Sequence, residues 1–347
     1  MRLSSVRIGG PALRPSVRRP RSATALLAGL GVALAVTACN PFSAATASSD
    51  LPVVKVGVVP GIDNATLYLG KRDGFFTRAG INVQILDYGS VPAELLAMRA
   101  GTVNVAAGDY GDLFAAQPAL QKNAYKILAD GYDAAPGVVQ IMTMPNSPVT
   151  TAAGLAEAGR VIGAPNTDRV TAVAPAAPNS LVIASATKVL QSYNVNLSGL
   201  TWKNMSQPEE ISELVHGQIA AALLTEPYVY QAQQKGAYEL VDACGGAAAG
   251  IPLAGYFSST SWSGENAKQV AAFRAGLSQA DAEASMPGPV QAVLPAYAKL
   301  SREEAALVTT GVYPLSTITA SIQRTADLMF SVGMIRSQLN VAKMIAK

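Results

Sequence analysis

From residue 53 onward, short β-branched runs alternate with longer stretches of helical period, and no other feature of the sequence narrows the fold as much. Val53-Val54-Lys55-Val56-Gly57-Val58-Val59 suits a buried parallel strand. Pro60-Gly61 ends it, and Asp63-Asn64 can cap a helix through Leu67, Tyr68 and Leu69. Gly74 stops that helix, and residues 81–86 read as the next strand. Gly89-Ser90 precedes a helix from Pro92, where proline is tolerated in the first turn. Gly101 closes it, residues 102–107 form a third strand, and Gly108-Asp109-Tyr110 opens another helix. Residues 124–129 and 138–144 are further strands. This order predicts a parallel sheet with helices on both faces.

The pattern then starts again. Arg160-Val161-Ile162-Gly163-Ala164 echoes Lys55-Val56-Gly57-Val58 as a strand leading into a polar loop. Asn179-Ser180 caps an apolar helix over 181–190, and 208–215 is a helix with glutamates at its start. Gly217-Gln218-Ile219-Ala220-Ala221-Ala222 aligns with Gly101-Thr102-Val103-Asn104-Val105-Ala106. Asp109-Tyr110 opens the following helix in the first half, and Thr225-Glu226-Pro227 fills that place in the second. Two echoes in the same order predict two similar α/β lobes, each a mostly parallel sheet flanked by helices. Residues 253–260 read as a returning strand. Helices over about 265–285, 288–299, 301–310 and 317–335 complete a helical C-terminal region, punctuated by Pro287, Pro289 and Pro314. The expected division is lobe 1 at 52–140, lobe 2 at 141–250 and a return to lobe 1 at 251–347. Two crossings would then join the lobes as a hinge.

Charge divides the chain at the other end. The formal net charge is +3, from 26 Lys plus Arg against 23 Asp plus Glu. Residues 1–38 hold six arginines, no lysine and no acid; without them 20 basic residues face 23 acidic, a balance of −3. Arginines over 1–21 precede an apolar run at 23–36, about the length of a signal-peptide core and short of a membrane span. The run ends in Val36-Thr37-Ala38-Cys39, which resembles the lipobox of bacterial lipoproteins, where the cysteine becomes a lipid-bearing N-terminus. Residues 1–38 are therefore expected to be a lipoprotein signal peptide, with lipidation at Cys39. Residues 39–51 are small and polar, and read as a flexible tether. With the leader removed, no basic patch remains to favour nucleic acid. A single His and two Cys exclude a histidine-cluster metal site, a cysteine-rich zinc site and a disulfide framework. No metal, cofactor or catalytic residue is expected. His216 reads as a helix-end residue and Cys244 as a passive thiol.

Val56-Gly57-Val58-Val59-Pro60, then Leu67-Tyr68-Leu69-Gly70-Lys71-Arg72-Asp73-Gly74-Phe75-Phe76 and Gly80-Ile81-Asn82-Val83, resemble the opening of solute-binding proteins of ABC importers. The similar branch is the group that binds nitrate, sulfonates, taurine and thiamine-pyrimidine precursors. Leu96-Ala97-Met98-Arg99-Ala100-Gly101-Thr102-Val103-Asn104-Val105 resembles that family's ALxxGxVD segment. Gly217-Gln218-Ile219-Ala220-Ala221 with Thr225-Glu226-Pro227 resembles its second-lobe GxIDA and EP segments, and residues 323–333 its C-terminal segment. The resemblance spans nearly all of 52–347. It implies a type II periplasmic-binding-protein fold and a monomer lipid-anchored to the outer face of the bacterial cytoplasmic membrane. Its implied partners are a small-molecule solute and an ABC permease with its ATPase subunits. The chain departs from the pattern in a longer second-lobe loop at 165–179, and in Asn104 and Ala220 where the family has aspartate.

Ligands of open α/β sheets bind beyond the carboxyl ends of the strands, where helix N-termini offer free N–H groups. Those loops place Asp63, Asn64, Ser90, Val91, Asp109, Tyr110, Asn166, Thr167, Asp168, Asn179, Ser180 and Glu226 as candidate ligand contacts. Each has an ordinary structural reading too: Asp63, Ser90 and Asn179 as caps, Tyr110 as packing, Glu226 as a helix-start acid. Four of these residues are carboxylates, with Arg169 the only nearby base. A bare anion would meet repulsion there, so a solute carrying an amine or another donor is expected. Sulfonate- or taurine-like compounds lead, with a thiamine pyrimidine precursor as the alternative solute. A ligand-sensing lipoprotein or an enzyme on the same fold are the alternatives in function.

Overall fold

A computed structural model describes residues 51–117, 124–156, 160–164 and 180–347. The leader, Cys39 and the 165–179 loop lie outside these residues. Two five-stranded sheets carry the fold. In the first, β1 (Val53–Val58) pairs in parallel with β2 (Asn82–Asp87) on one side and β3 (Val105–Asp109) on the other. The return strand β10 (Pro252–Ser259) runs antiparallel to β3 and to the edge strand β4 (Tyr125–Asp133). The second sheet repeats this order. There β6 (Arg160–Ala164) pairs in parallel with β7 (Leu200–Asn204) and β8 (Ala221–Thr225). The crossing strand β5 (Val139–Thr143) is antiparallel to β8 and to the edge strand β9 (Tyr238–Asp242). Each sheet is thus parallel in its first three strands, as the alternation predicts. It is antiparallel where the chain enters from the other sheet. Sequence reading did not anticipate β7 and β9, because neither carries a continuous apolar run.

Helices α1 (Ala65–Arg72), α2 (Phe75–Arg78), α3 (Val91–Arg99) and α4 (Tyr110–Ala116) connect the strands of the first sheet. The Gly-Phe-Phe motif is a packing device. Gly74 adopts φ 71°, open to glycine, and turns the chain so that Phe76 wedges between α1 and α9 (Ala267–Ala284). Phe76 stacks on Phe273 with ring centroids 5.4 Å apart. Gly70 and Gly276 leave the space: a Cβ on either would stand 2.6 or 2.5 Å from the Phe76 ring.

Around the second sheet run α5 (Leu181–Ser192), α6 (Gln207–Val215) and α7 (Tyr228–Gln233). After β10 come α8 (Thr260–Glu265), α9, α10 (Pro289–Val293), α11 (Arg302–Leu307) and α12 (Thr319–Ser331). The helices expected at 288–299, 301–310 and 317–335 are shorter than their apolar patterns, because Pro295, Val308 and Gly333 sit where regular bonding stops. Helix α12 packs against both α4 and α5. The C-terminal tail returns to cover the edge of β4, where the Ile127 N–H donates to Met344 O and the Ala346 N–H donates to Ile127 O.

Two segments join the sheets, residues 134–138 and 243–251. The Ala243 N–H ties the second segment to Val139 O of β5 at 2.9 Å, and the Ala134 N–H ties the two segments to each other through Ile251 O at 2.8 Å. A third stretch, just after α11, is bound to the end of β4 beside the first segment. Val312 and Asp133 exchange backbone bonds, and the Gly311 N–H donates to the Tyr132 hydroxyl at 2.7 Å. Among the described residues no helix is long and apolar enough to cross a membrane.

Candidate helix-start site

The carboxyl ends of β1 and β3 and the starts of α1, α3 and α4 bring one group of predicted residues together. Asp63 sits in a 3-10 turn at Ile62–Asn64, just before α1. Its carboxylate accepts from Asn64 Nδ2 at 3.0 Å. Burial raises its pKa to about 6. Ser90 caps α3, its Oγ accepting a long bond of 3.4 Å from the Ala93 N–H, and Val91 is the first residue of that helix. Asp109 caps α4 by accepting from the Gly111 N–H. Burial lifts its carboxyl well above the usual range, and the nearby charges of Asp112 and Asp63 add to this.

Asp109 also links the two halves of the fold. Helix α5 packs against α4, and the Leu181 N–H at its start lies close enough to the Asp109 carboxylate to oppose the upward shift together with that of Gly111. Ser180, buried immediately before α5, is therefore brought to Asp109. Asn166, Thr167, Asp168 and Asn179 lie outside the described residues.

Two of the predicted contacts have other tasks. Tyr110 is fully buried, its ring packed with Phe114 and Phe257 and its hydroxyl donating to Asp130 at 2.9 Å. The first residue of α4 points inward at this register, so Tyr110 is a core residue rather than a site wall. Glu226 is buried as well. One carboxyl oxygen accepts from the Tyr230 N–H of α7 and the other from the Thr309 N–H, both at 3.1 Å. It closes the first turn of α7 and ties the second sheet to the stretch after α11.

Sequence reading missed Glu94. It lies in α3, is fully buried, and accepts from the Ala107 N–H at 2.7 Å. Gly57 on β1 makes room for it, since a Cβ there would stand 2.8 Å from Glu94 Cγ. Burial, with the charges of Asp63 and Asp112, pushes its pKa up to about 8. A signal for it was present. Ser90-Val91-Pro92-Ala93-Glu94 and Ser206-Gln207-Pro208-Glu209-Glu210 open corresponding helices of the two sheets with the same Ser-x-Pro-x-Glu spacing. Glu210 is likewise fully buried, and burial lifts it to about 9.

An aromatic group stands beside Asp63. Tyr68 stacks on Tyr297 with ring centroids 3.7 Å apart, and its hydroxyl donates to Asp87 at 3.2 Å. The Tyr313 hydroxyl donates to Ile62 O at 2.7 Å. An open recess of about 490 Å³, lined by Met98, Arg99, Tyr125, Ser259 and Trp262, lies at the opposite end of the first sheet. Cys244 is buried, its thiol pushed up to about 12. His216 ends α6, with Nδ1 2.7 Å from Ser212 O. Among the described residues no group of three or more His, Cys, Asp or Glu is arranged to hold a metal ion.

Residues 62–292 match the sequence profile of the family described as NMT1/THI5-like. No curated protein sequence matches the chain. Among solved structures, the periplasmic aliphatic sulphonate-binding protein SsuA from Escherichia coli is similar at a TM-score of 0.66 and 16% identity, over 85% of this chain and 97% of that one. The alkanesulfonate-binding protein SsuA from Xanthomonas axonopodis pv. citri, bound to MOPS, gives 0.64 and 17%, over 86% and 99%. The desulfurization enzyme DSZB gives 0.61 and 14%, over 84% and 96%. Binding proteins and an enzyme thus share this two-sheet fold.

Proposed function

Because the chain belongs to the NMT1/THI5-like family, we propose that it is an extracytoplasmic solute-binding protein of an ABC importer. It captures a small polar solute, sulfonate- or taurine-like or another small nitrogen- or sulfur-containing compound, between two closing lobes and hands it to a permease and its ATPase subunits. The observation that carries this reading is the pairing of two sheets of identical strand order through two connecting segments, with the starts of α4 and α5 meeting at Asp109 and Leu181. A solute touching both sides stabilises the closed arrangement by its contacts alone. Binding without chemistry is supported by the inert setting of Cys244 and by the use of His216 at a helix end.

The lobe limits 52–140, 141–250 and 251–347, the signal peptide 1–38, the tether 39–51 and lipidation of Cys39 form part of this proposal. So do Asp63, Asn64, Ser90, Val91, Asp109 and Ser180 as ligand contacts, together with Asn166, Thr167, Asp168 and Asn179 from the longer loop. Replacing Cys39 by Ala should move the protein from the membrane fraction to the soluble one. Solute binding is tested by a thermal-shift screen with sulfonates, taurine, nitrate, pyrimidines and amines, followed by small-angle scattering. A true ligand at about 100 times its Kd adds about 2.7 kcal/mol of stability. It should also reduce the radius of gyration. A panel with no stabilising compound, or a ligand that leaves the radius unchanged, argues against capture by closure.

A further inference from the structure

Among the described residues, two buried side-chain oxygens at the helix-start site have no hydrogen-bond partner. Asn64 is 2% exposed and uses Nδ2 on Asp63, which leaves Oδ1 unpartnered. Glu94 is 0% exposed and uses Oε1 on the Ala107 N–H, which leaves Oε2 unpartnered. A buried acceptor without a donor costs about 1–3 kcal/mol, and Glu94 Oε2 is such an acceptor whenever the carboxyl is ionised. The Ile62–Asn64 turn packs against β3, the strand whose Gly108 lies beside Glu94 Oε2, so both atoms border the same strand end and call for a group that donates. The Glu94 carboxyl is aimed at the ends of β1 and β3. Its Oε2 stands 3.7 Å from where a Cβ on Gly108 would sit, and Val91 Cγ2 is equally close to that point. Asp63 acts on Glu94 from the turn before α1, and Asp112 acts on it from α4. Among the described residues, no lysine or arginine bonds Asp63, Asn64 or Glu94.

We propose that Glu94 Oε2 and Asn64 Oδ1, together with the Asp63 carboxyl group, bind a protonated nitrogen of the solute, in an ammonium or amidinium group. The inference rests on the reading of the chain as a solute-binding protein, and adds to it two contacts and a ligand chemistry. An anion placed here would face acceptors and carboxyl groups. The starts of α1, α3 and α4 each already have an acid of their own within or beside the first turn. A protonated nitrogen brings two or more N–H donors and the opposite charge, and so pairs every unpartnered atom.

Protonation supplies a signature. In the chain alone, burial holds Glu94 at about 8 and Asp63 at about 6. The titratable groups that face Glu94, Asp63 and Asp112, are both acids and push the same way; β1 and β3 present backbone, and the Tyr88 ring lies beside Gly57. A bound cation pulls both pKa values down, so binding at pH 7 expels a proton from Glu94, and affinity rises with pH. A bound anion does the reverse.

The test is titration calorimetry of the purified chain at pH 6, 7 and 8, in buffers of differing ionisation enthalpy. The aminated probes are taurine, ethanolamine and acetamidine. The anionic probes are sulfate and 1-propanesulfonate, in which a methyl group replaces the ammonium of taurine. The expected result is at least one aminated probe that binds about tenfold or more tighter than 1-propanesulfonate. It should release a proton and tighten by up to about tenfold per pH unit between pH 6 and 8. Glu94→Gln should abolish both the proton release and the amine preference. The pH profile of the unaltered chain decides the matter even if that variant fails to fold. Tight binding of the anions alone, or affinity that falls as pH rises, overturns this inference and leaves the solute-binding reading standing. Binding of none of the five probes also overturns it, and the scattering experiment then decides the broader reading.

Discussion

Tyr110 shows how one residue changes meaning with its surroundings. It opens α4 at the carboxyl end of β3, where a ligand contact is expected. Its side chain instead enters the core and donates to Asp130, whose own pKa burial raises to about 8. Tyr110→Phe should therefore cost about 1–2 kcal/mol in a denaturant titration, with solute affinity unchanged. Affinity loss at constant stability would return Tyr110 to the site. Glu94 is the opposite case, a helix residue with the appearance of an ordinary solvated acid that is fully buried at the strand ends. The repeated Ser-x-Pro-x-Glu spacing marks Glu94 but does not show its burial, and no spacing shows that Tyr110 turns inward. Helical period says which face a residue occupies, and a helix start that meets a sheet end presents almost every face to protein.

At the scale of elements, the close contacts are made by residues with little or no side chain. Gly276 on α9 lies where a Cβ would be 2.5 Å from Phe76 Cδ1 and 3.1 Å from Phe76 Cα. Gly276→Ala should force α9 off α2 and destabilise the fold by about 1–3 kcal/mol, read by thermal or chemical unfolding. Glu226 works at the same scale, joining α7 to the stretch after α11. Glu226→Ala leaves the Tyr230 and Thr309 N–H groups without their partner, and should cost about 1–3 kcal/mol. It should also quicken limited proteolysis after α11; an unchanged cleavage rate would mean that the stretch is held by Tyr132 and Asp133 instead. The central strands were legible as continuous apolar runs because both faces are covered. Among the edge strands, β2 and β4 carry apolar runs and were legible, whereas β7 and β9, with Lys203, Asn204, Glu239 and Asp242 in five-residue strands, were not. The antiparallel entry of β5 and β10 was invisible as well, because strand direction is set by where the chain comes from and leaves no mark on composition.

For the whole molecule, the buried acids set the response to pH. Burial is the largest cause in each case, raising Glu94, Asp130 and Asp281 to about 8 and Glu210 to about 9. In the unfolded chain these groups lose their protons near pH 4, whereas in the folded chain they keep them. Between those values the folded state binds more protons, so stability falls as pH rises. Their stabilising contribution is complete below about pH 4 and is lost as pH passes through 8 to 9. The melting temperature at pH 5.5 should exceed that at pH 8.5 by about 4 °C or more, and Glu210→Gln should flatten the difference. A melting temperature that rises across this range would show that the acids are paired. The sequence by itself determined the α/β alternation, its repetition in two halves, the returning strand at 253–260 and the charge boundary near residue 38. Those follow from local periodicity and from where arginines stand, which need no partner element to be read. The tertiary structure alone decided that Glu94 and Asn64 leave unpartnered acceptors beside Asp63, that Asp109 meets Leu181 across the two halves, and that Tyr110 and Glu226 have structural tasks. Each of these depends on what a side chain meets from a distant part of the chain, and burial and hydrogen-bond satisfaction exist only once the chain has folded.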